Sequence, residues 1–149
     1  MDTSIPAVTG RLDAFRERCA RLGLTLTPQR LAIYQFLAAN DSHPTAEEIY
    51  RQVKPDLPSL SLGTVYRTLE LFEEHGLLSR VLTLSPQARY DANQDQHHHF
   101  ICVRCHRVLD SQDPRLQEVP VRDTAPAGFR VLSHRVQVLG LCPVCQESA

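Results

Sequence analysis

Two C-x-x-C pairs, Cys102/Cys105 and Cys142/Cys145, constrain what this chain can fold into more than any other feature. Each pair is a knuckle that presents two thiolates, and two knuckles close a tetrahedral zinc shell. The 36 residues between Cys105 and Cys142 exceed ordinary zinc-finger spacing. The predicted zinc therefore staples a strand hairpin to a distant C-terminal segment rather than defining a mini-domain. A complete shell of four thiolates leaves no open position, so stability is expected from it and not chemistry. Binding of such a zinc is worth on the order of 10 kcal/mol, comparable with a whole domain's stability. The fifth cysteine, Cys19, lies in a predicted helix and reads as a small buried hydrophobe.

Thiols are ligands rather than disulfides in a reducing compartment. The opening stretch "MDTSIPAVTGRLDAF" has neither the basic start nor the apolar core of a secretion signal, so a cytoplasmic location is expected. No apolar run approaches the length of a membrane span, so no membrane partner is expected. "CVRCH" also fits the haem-attachment pattern C-x-x-C-H. Haem attachment would need export and would leave Cys142 and Cys145 idle, and the only methionine is Met1. Zinc is the better reading.

The first 80 residues carry helix start and stop signals. An apolar set, Leu12, Phe15, Cys19 and Leu22, recurs at helical spacing and ends at Gly23. "TPQRLAIYQFLAA" has Thr27 as N-cap and Pro28 at the first helical position, and "HPTAEEIYRQV" repeats the logic from Thr45. A fourth helix begins at Ser61 in "SLGTVYRTLELFEEHG", with Val65, Leu69 and Phe72 on one stripe and Tyr66 and Arg67 off it. "LLSRVLTL" and "ARYDA", joined through "SPQ", predict a hairpin. Helices followed by a hairpin outline a winged helix. Beyond the boundary placed near Asn93, "HHHFICV", "RVLD" and "FRVLSHRVQVLGLC" read as strands, with a helix after Asp113 that Pro120 should interrupt. The expected class is α+β: a winged-helix domain with hinge over 1–92, then a small α/β domain over 93–149. Net charge is −1, yet residues 11–30 hold five arginines against two acids, which permits a nucleic-acid partner without demanding one.

Strand alternation divides the histidine cluster "HHHFIC". His97, His99 and Ile101 point one way, and His98, Phe100 and Cys102 the other. His97 and His99 therefore belong to a second site, for which Asp91 and Asp110 are candidate partners. Histidine plus carboxylate suits Fe(II), Mn(II) or Zn(II).

In order and spacing, "LTPQR", "HPTAEEIY", "SLGTVYRTLELFEEHGL", "RYD", "HHHFICVRCHRVLD" and "HRVQVLGLCPVC" resemble the ferric uptake regulator (Fur) family of metal-dependent repressors. The resemblance runs from about Leu22 to Cys145. It implies a cytoplasmic homodimer that binds double-stranded operator DNA, with an N-terminal winged helix and a C-terminal dimerisation domain. It makes Cys102, Cys105, Cys142 and Cys145 the structural Zn(II) site. It makes His43, Asp91, His97, His99 and Asp110 the site of a regulatory Fe(II) or Mn(II). It places Tyr66 and Arg67 at base edges and Ser61 and Thr64 near phosphates. Aspartate at both carboxylate positions resembles the peroxide-responsive (PerR-like) branch, which implies that hydrogen peroxide oxidises His43 or His97 and releases the protein from DNA. The alternative within the family is an iron- or manganese-responsive uptake repressor that does not sense peroxide.

Some positions depart from that pattern. Thr25 stands where a lysine or arginine is usual, Arg67 is more like the iron branch, and His106 stands where glycine is common. Gln96, His98, Gln117 and His134 occupy the positions of a further metal site, with two donors weakened. A zinc-stapled interaction domain without a sensing site is the competitor from another class. An enzyme is not expected: H-x-E, H-E-x-x-H and a Gly-rich phosphate loop are all missing.

Overall fold

The computed structural model describes residues 4–81, 83–93 and 97–147, with backbone alone for 4–8. The chain forms two units, 1–94 and 95–149.

Among the described residues, four helices build the first unit, and each starts or ends at a residue suited to the job. Helix α1 (Ser4–Leu22) buries Phe15 and Cys19, one turn apart, and stops at Gly23, whose φ of +69° is a left-handed value that glycine adopts freely. Helix α2 (Pro28–Ala39) is capped by Thr27, whose hydroxyl accepts from the Arg30 amide, and buries Ile33, Tyr34, Leu37 and Ala38. Helix α3 (Ala46–Val53) opens on a capping box: Thr45 accepts from the Glu48 amide, and Glu48 accepts from the Thr45 amide. Helix α4 (Leu62–Glu74) is capped by Ser61 and buries Val65, Thr68, Leu69 and Phe72. Phe15 stacks on Tyr34, and Phe72 meets both rings edge-on, so three helices share one aromatic core.

Strands β1 (Ser79–Val81) and β2 (Arg89–Asp91) pair antiparallel as the wing. Strand β2 has a second neighbour. Thr45 bridges Arg89, the Tyr90 amide donates to the Pro44 carbonyl at 3.1 Å, and the Arg89 guanidinium donates to the His43 carbonyl at 3.0 Å. The segment leading into α3 is thereby clamped along the wing.

Among the described residues, the second unit is built on a three-stranded sheet. Strand β3 (His98–Cys102) is central, with β4 (Val108–Ser111) antiparallel on one side and β5 (Gln137–Gly140) parallel on the other. Between β4 and β5, Asp113 caps a 3-10 turn at Pro114–Leu116, and Pro120 separates it from the short helix α5 (Val121–Thr124). Helix α6 (Pro143–Glu147) follows β5.

The long predicted strand "FRVLSHRVQVLGLC" is shortened to Gln137–Gly140, and residues 129–136 take no strand. Strand β5 runs parallel to β3 with Gln137 opposite His99, so the residues before 136 run past the start of β3 at His98, and the Val136 amide donates to the His98 ring at 2.9 Å instead of to a strand carbonyl. Among the described residues of this unit, the buried apolar side chains are Ile101, Val108 and the thiols of Cys102, Cys142 and Cys145. So small a core cannot hold a domain of this size without a staple.

Candidate metal centres and nucleic-acid interface

The four sulfurs of Cys102, Cys105, Cys142 and Cys145 lie within 4.8 Å of one another, and none is in a disulfide. Cys102 ends β3 and Cys105 closes the following turn; Cys142 precedes α6 and Cys145 sits inside it. Cys105 Sγ and Cys142 Sγ are 3.8 Å apart. A zinc tetrahedron with bonds of about 2.3 Å has S···S edges of about 3.8 Å, so the cluster is already at ligand spacing. Arg104, between the first two cysteines, donates to the Cys145 carbonyl at 2.7 Å and ties one knuckle to the other. Backbone amides of Cys105 and Cys142 aim at the Cys102 sulfur and hold its thiol at a pKa of about 5. The Cys145 amide pulls Cys142 down as well, whereas the neighbouring Cys142 sulfur pushes Cys145 up to about 12.

The turn after Cys105 is strained. His106 adopts φ +63°, where the amide can donate to the Cys102 carbonyl at 2.9 Å, and its ring Nδ1 is buried without a hydrogen bond among the described residues. Glycine suits that backbone; histidine does not.

The candidate regulatory ligands fall into two sets, one in each unit. In the first unit His43 Nε2 lies 3.2 Å from Asp91 Oδ2, both residues being buried. His43 reaches that position through a left-handed backbone, φ +56°, under the Arg89 clamp. Asp91 is oriented by the Asn93 amide, which donates to its other oxygen at 2.9 Å. In the second unit His99 and Asp110 are register partners on one face of the sheet, with His99 Nε2 and His97 Nε2 at 3.4 and 3.6 Å from Asp110 Oδ1. The His97 and His99 rings meet edge to face at 4.7 Å. Donor pairs around a tetrahedral metal with bonds of about 2.1 Å are about 3.4 Å apart, so each set is spaced as ligands are. Cys102 lies on the opposite face of β3 from His99, as period-2 alternation requires.

The weakened further site is organised differently. His98 is fully buried, its Nδ1 accepts from the Val136 amide, its ring stacks on that of His134 at 5.9 Å, and His134 Nε2 lies 3.3 Å from the Leu116 carbonyl. Burial, then the nearby His134, pushes the His98 pKa down. Gln96 lies outside the described residues.

On α4, Ser61, Tyr66 and Arg67 are exposed and Thr64 is half-buried. Arg67 donates to the Thr64 hydroxyl at 3.1 Å, and Thr64 is 2.9 Å from the Ser61 hydroxyl, so these polar groups form one string over the first turns of the helix. Gly63 leaves room for it, since a Cβ there would meet the Arg67 guanidinium at 3.3 Å. The Tyr66 hydroxyl donates to Glu47 Oε1 on α3 at 2.5 Å, and that bond pushes the phenol up to about 12. Sequence reasoning missed Glu47 and Arg89, because each acts on a residue far along the chain. Residue patterns also gave no sign that His43 meets Asp91; only the family resemblance put the two in one site.

The sequence profile of the Ferric uptake regulator family matches residues 21–139. The chain belongs to this family. It is 33% identical over 147 residues to the peroxide-responsive repressor PerR of Staphylococcus aureus (strain Mu50 / ATCC 700699), covering 99% of both chains. Among solved structures, the ferric uptake regulator Fur of Helicobacter pylori, which has three functional metal-binding sites, superposes with a TM-score of 0.77. That match covers 93% of each chain at 24% identity and so speaks to fold alone. A zinc uptake regulator complexed with zinc and DNA matches with a TM-score of 0.67 at 26% identity, covering 95% of this chain and 96% of that one. The architecture is the family's α+β plan, a winged helix followed by a small α/β domain, in a family of transcription regulators rather than enzymes.

Proposed function

We propose that this family member is a homodimeric, metal-dependent repressor that binds double-stranded operator DNA through α4 and senses peroxide through its regulatory site. The observation that carries the reading is the pair of ligand sets, His43/Asp91 in one unit and His97/His99/Asp110 in the other, each preset at metal-ligand spacing. Neither set alone completes a first shell, and together they supply three imidazoles and two carboxylates. One exchangeable metal drawing on both would fix the orientation of α4, and in a dimer the separation of two recognition helices must match the half-site spacing.

The chain's own residues set the chemistry. Cys102, Cys105, Cys142 and Cys145 would hold Zn(II) and supply the core that the second unit otherwise lacks. The exposed sheet face carrying Phe100 and Leu109 is the surface for a second copy. Arg67 and Tyr66 present to the major groove, and Ser61 and Thr64 to phosphates. Iron(II), when bound, supplies one-electron reduction of peroxide. His43 and His97 are then the imidazoles placed to take up oxygen. An oxidised imidazole is a poorer donor, so its loss unlinks the two ligand sets and lowers DNA affinity. The PerR relative supports peroxide sensing, as do the two aspartates.

The test is operator binding with Fe(II), Mn(II) or Zn(II), each with and without peroxide, followed by mass spectrometry. Expected are metal-dependent binding in all cases, release by peroxide for iron alone, and added oxygen in peptides holding His43 or His97. Persisting DNA binding with no added oxygen would remove peroxide sensing and leave an iron- or manganese-responsive repressor.

A further inference from the structure

Glu47 is an acidic side chain on the face of the first unit that carries Tyr66, where a partner rich in phosphate would be repelled by it. It does not cap α3, since the neighbouring Glu48 performs that task. Its carboxylate instead accepts the Tyr66 hydroxyl at 2.5 Å across 19 residues of sequence. This is the length of a charge-assisted O–H···O bond. Glu47 lies in the first turn of α3, where the helix end favours the ionised carboxylate and hence the accepting role.

A phenol has one proton to donate. With that proton committed, the Tyr66 oxygen retains only lone pairs. Turning the proton toward DNA would strand the Glu47 carboxylate beside phosphates without its partner. In the major groove, adenine N6 and cytosine N4 are donors, whereas thymine O4 and guanine O6 and N7 are acceptors. We propose that Glu47 is a specificity-setting positioning residue, which fixes Tyr66 as a hydrogen-bond acceptor and makes it select an exocyclic amino group over a carbonyl edge. The inference rests on the reading of α4 as the recognition helix. The raised phenol pKa of Tyr66 agrees with it.

The test uses the metal-loaded full-length protein and an operator selected from random DNA, with affinity read by anisotropy at fixed salt. In each half-site, adenines are replaced one at a time by purine, which lacks N6, and cytosines by the analogue lacking N4. At one position wild-type binding should fall about tenfold, the usual scale for a lost base contact. The adenine and cytosine arms identify the base. Tyr66→Phe should bind the substituted and intact operators equally. Glu47→Ala frees the phenol to donate as well as accept, so its discrimination should shrink, while Glu47→Gln, whose amide oxygen still accepts the phenol proton, should keep it. Indifference of the wild type to every amino deletion overturns the proposal, as does discrimination that is undiminished in Glu47→Ala or that survives in Tyr66→Phe. Independently of DNA, the Tyr66 Cζ resonance of 13C-labelled protein should move in Glu47→Ala and not in Glu47→Gln; no movement in Glu47→Ala refutes the pair. If Arg67→Ala and Tyr66→Phe both bind operator like wild type while the resonance moves as expected, the placement of α4 on DNA fails, and the inference with it, although the pair stands.

Discussion

Replacing His106 by glycine should stabilise the second unit, a direction opposite to most substitutions beside a metal site. The left-handed backbone at φ +63° costs a residue with a Cβ about 1–2 kcal/mol. The buried Nδ1 without a hydrogen bond adds about 1 kcal/mol, the low end for an unsatisfied polar atom. Against this, glycine loses about 0.5–1 kcal/mol more chain entropy on folding. Removing the half-buried ring gives up about 1 kcal/mol of apolar burial. The amide bond to the Cys102 carbonyl is kept, because any residue but proline supplies it. The balance runs from about 0 to 1.5 kcal/mol in favour of glycine, with a midpoint of about 0.7 kcal/mol, or about threefold in an equilibrium constant. Urea unfolding of the zinc-loaded protein at one fixed concentration reads the stability, and competition with a chelator reads zinc retention. His106→Ala is the control: it deletes the ring and keeps the Cβ, so it should gain nothing. Equal stability of the alanine and glycine variants would refute the strain argument, and destabilisation by glycine would show that the ring holds the knuckle in place.

Three further outcomes follow from the same structure. Removing zinc from the reduced protein should unfold the second unit while the first keeps its helical circular dichroism, and zinc should rebind more weakly as pH falls. Each thiol must shed its proton to become a zinc ligand, so protons compete more strongly as pH falls; zinc affinity that stays flat between about pH 8 and 5 contradicts a four-thiolate shell. Phe72→Ala, which empties the centre of the aromatic core, should cost about 3–5 kcal/mol in the first unit and leave bound zinc at one per chain, as measured by calorimetry and metal analysis. Leu109→Glu on the exposed sheet face should give a monomer in analytical ultracentrifugation with zinc retained; a dimer would assign dimerisation to another surface.

How far the sequence could be read depended on whether the signal was local. The four helices of the first unit were legible because Thr27, Thr45 and Ser61 cap them, and Gly23 and Gly76 close two of them at positive φ. The wing was legible from two short apolar runs around a turn. Residues 129–136 misled, because "FRVLSHRV" has strand-like alternation, and propensity alone does not say whether a strand edge is available. Here β3 begins only at His98, opposite residue 136, and offers the earlier residues no partner.

The sites divide along the same line. Alternation along β3 separates His99 from Cys102, since only geometry within one strand is involved. Two C-x-x-C knuckles announce a tetrahedral thiolate shell wherever the fold brings them together. The meeting of His43 with Asp91 carries no such signature: it needs a bridge between Thr45 and Arg89, a guanidinium on the His43 carbonyl and a left-handed histidine, none of them local. The same holds for Glu47 and Tyr66, which are neighbours only because α3 packs on α4. Ligand identity was therefore written in the sequence where one element supplies it, and hidden where tertiary packing assembles it. That division has a mechanical consequence. The four cysteines lie within one unit, as the proposed permanent staple requires, whereas the imidazole–carboxylate sets are held by strained and clamped backbone in separate units, which suits the exchangeable metal proposed for them.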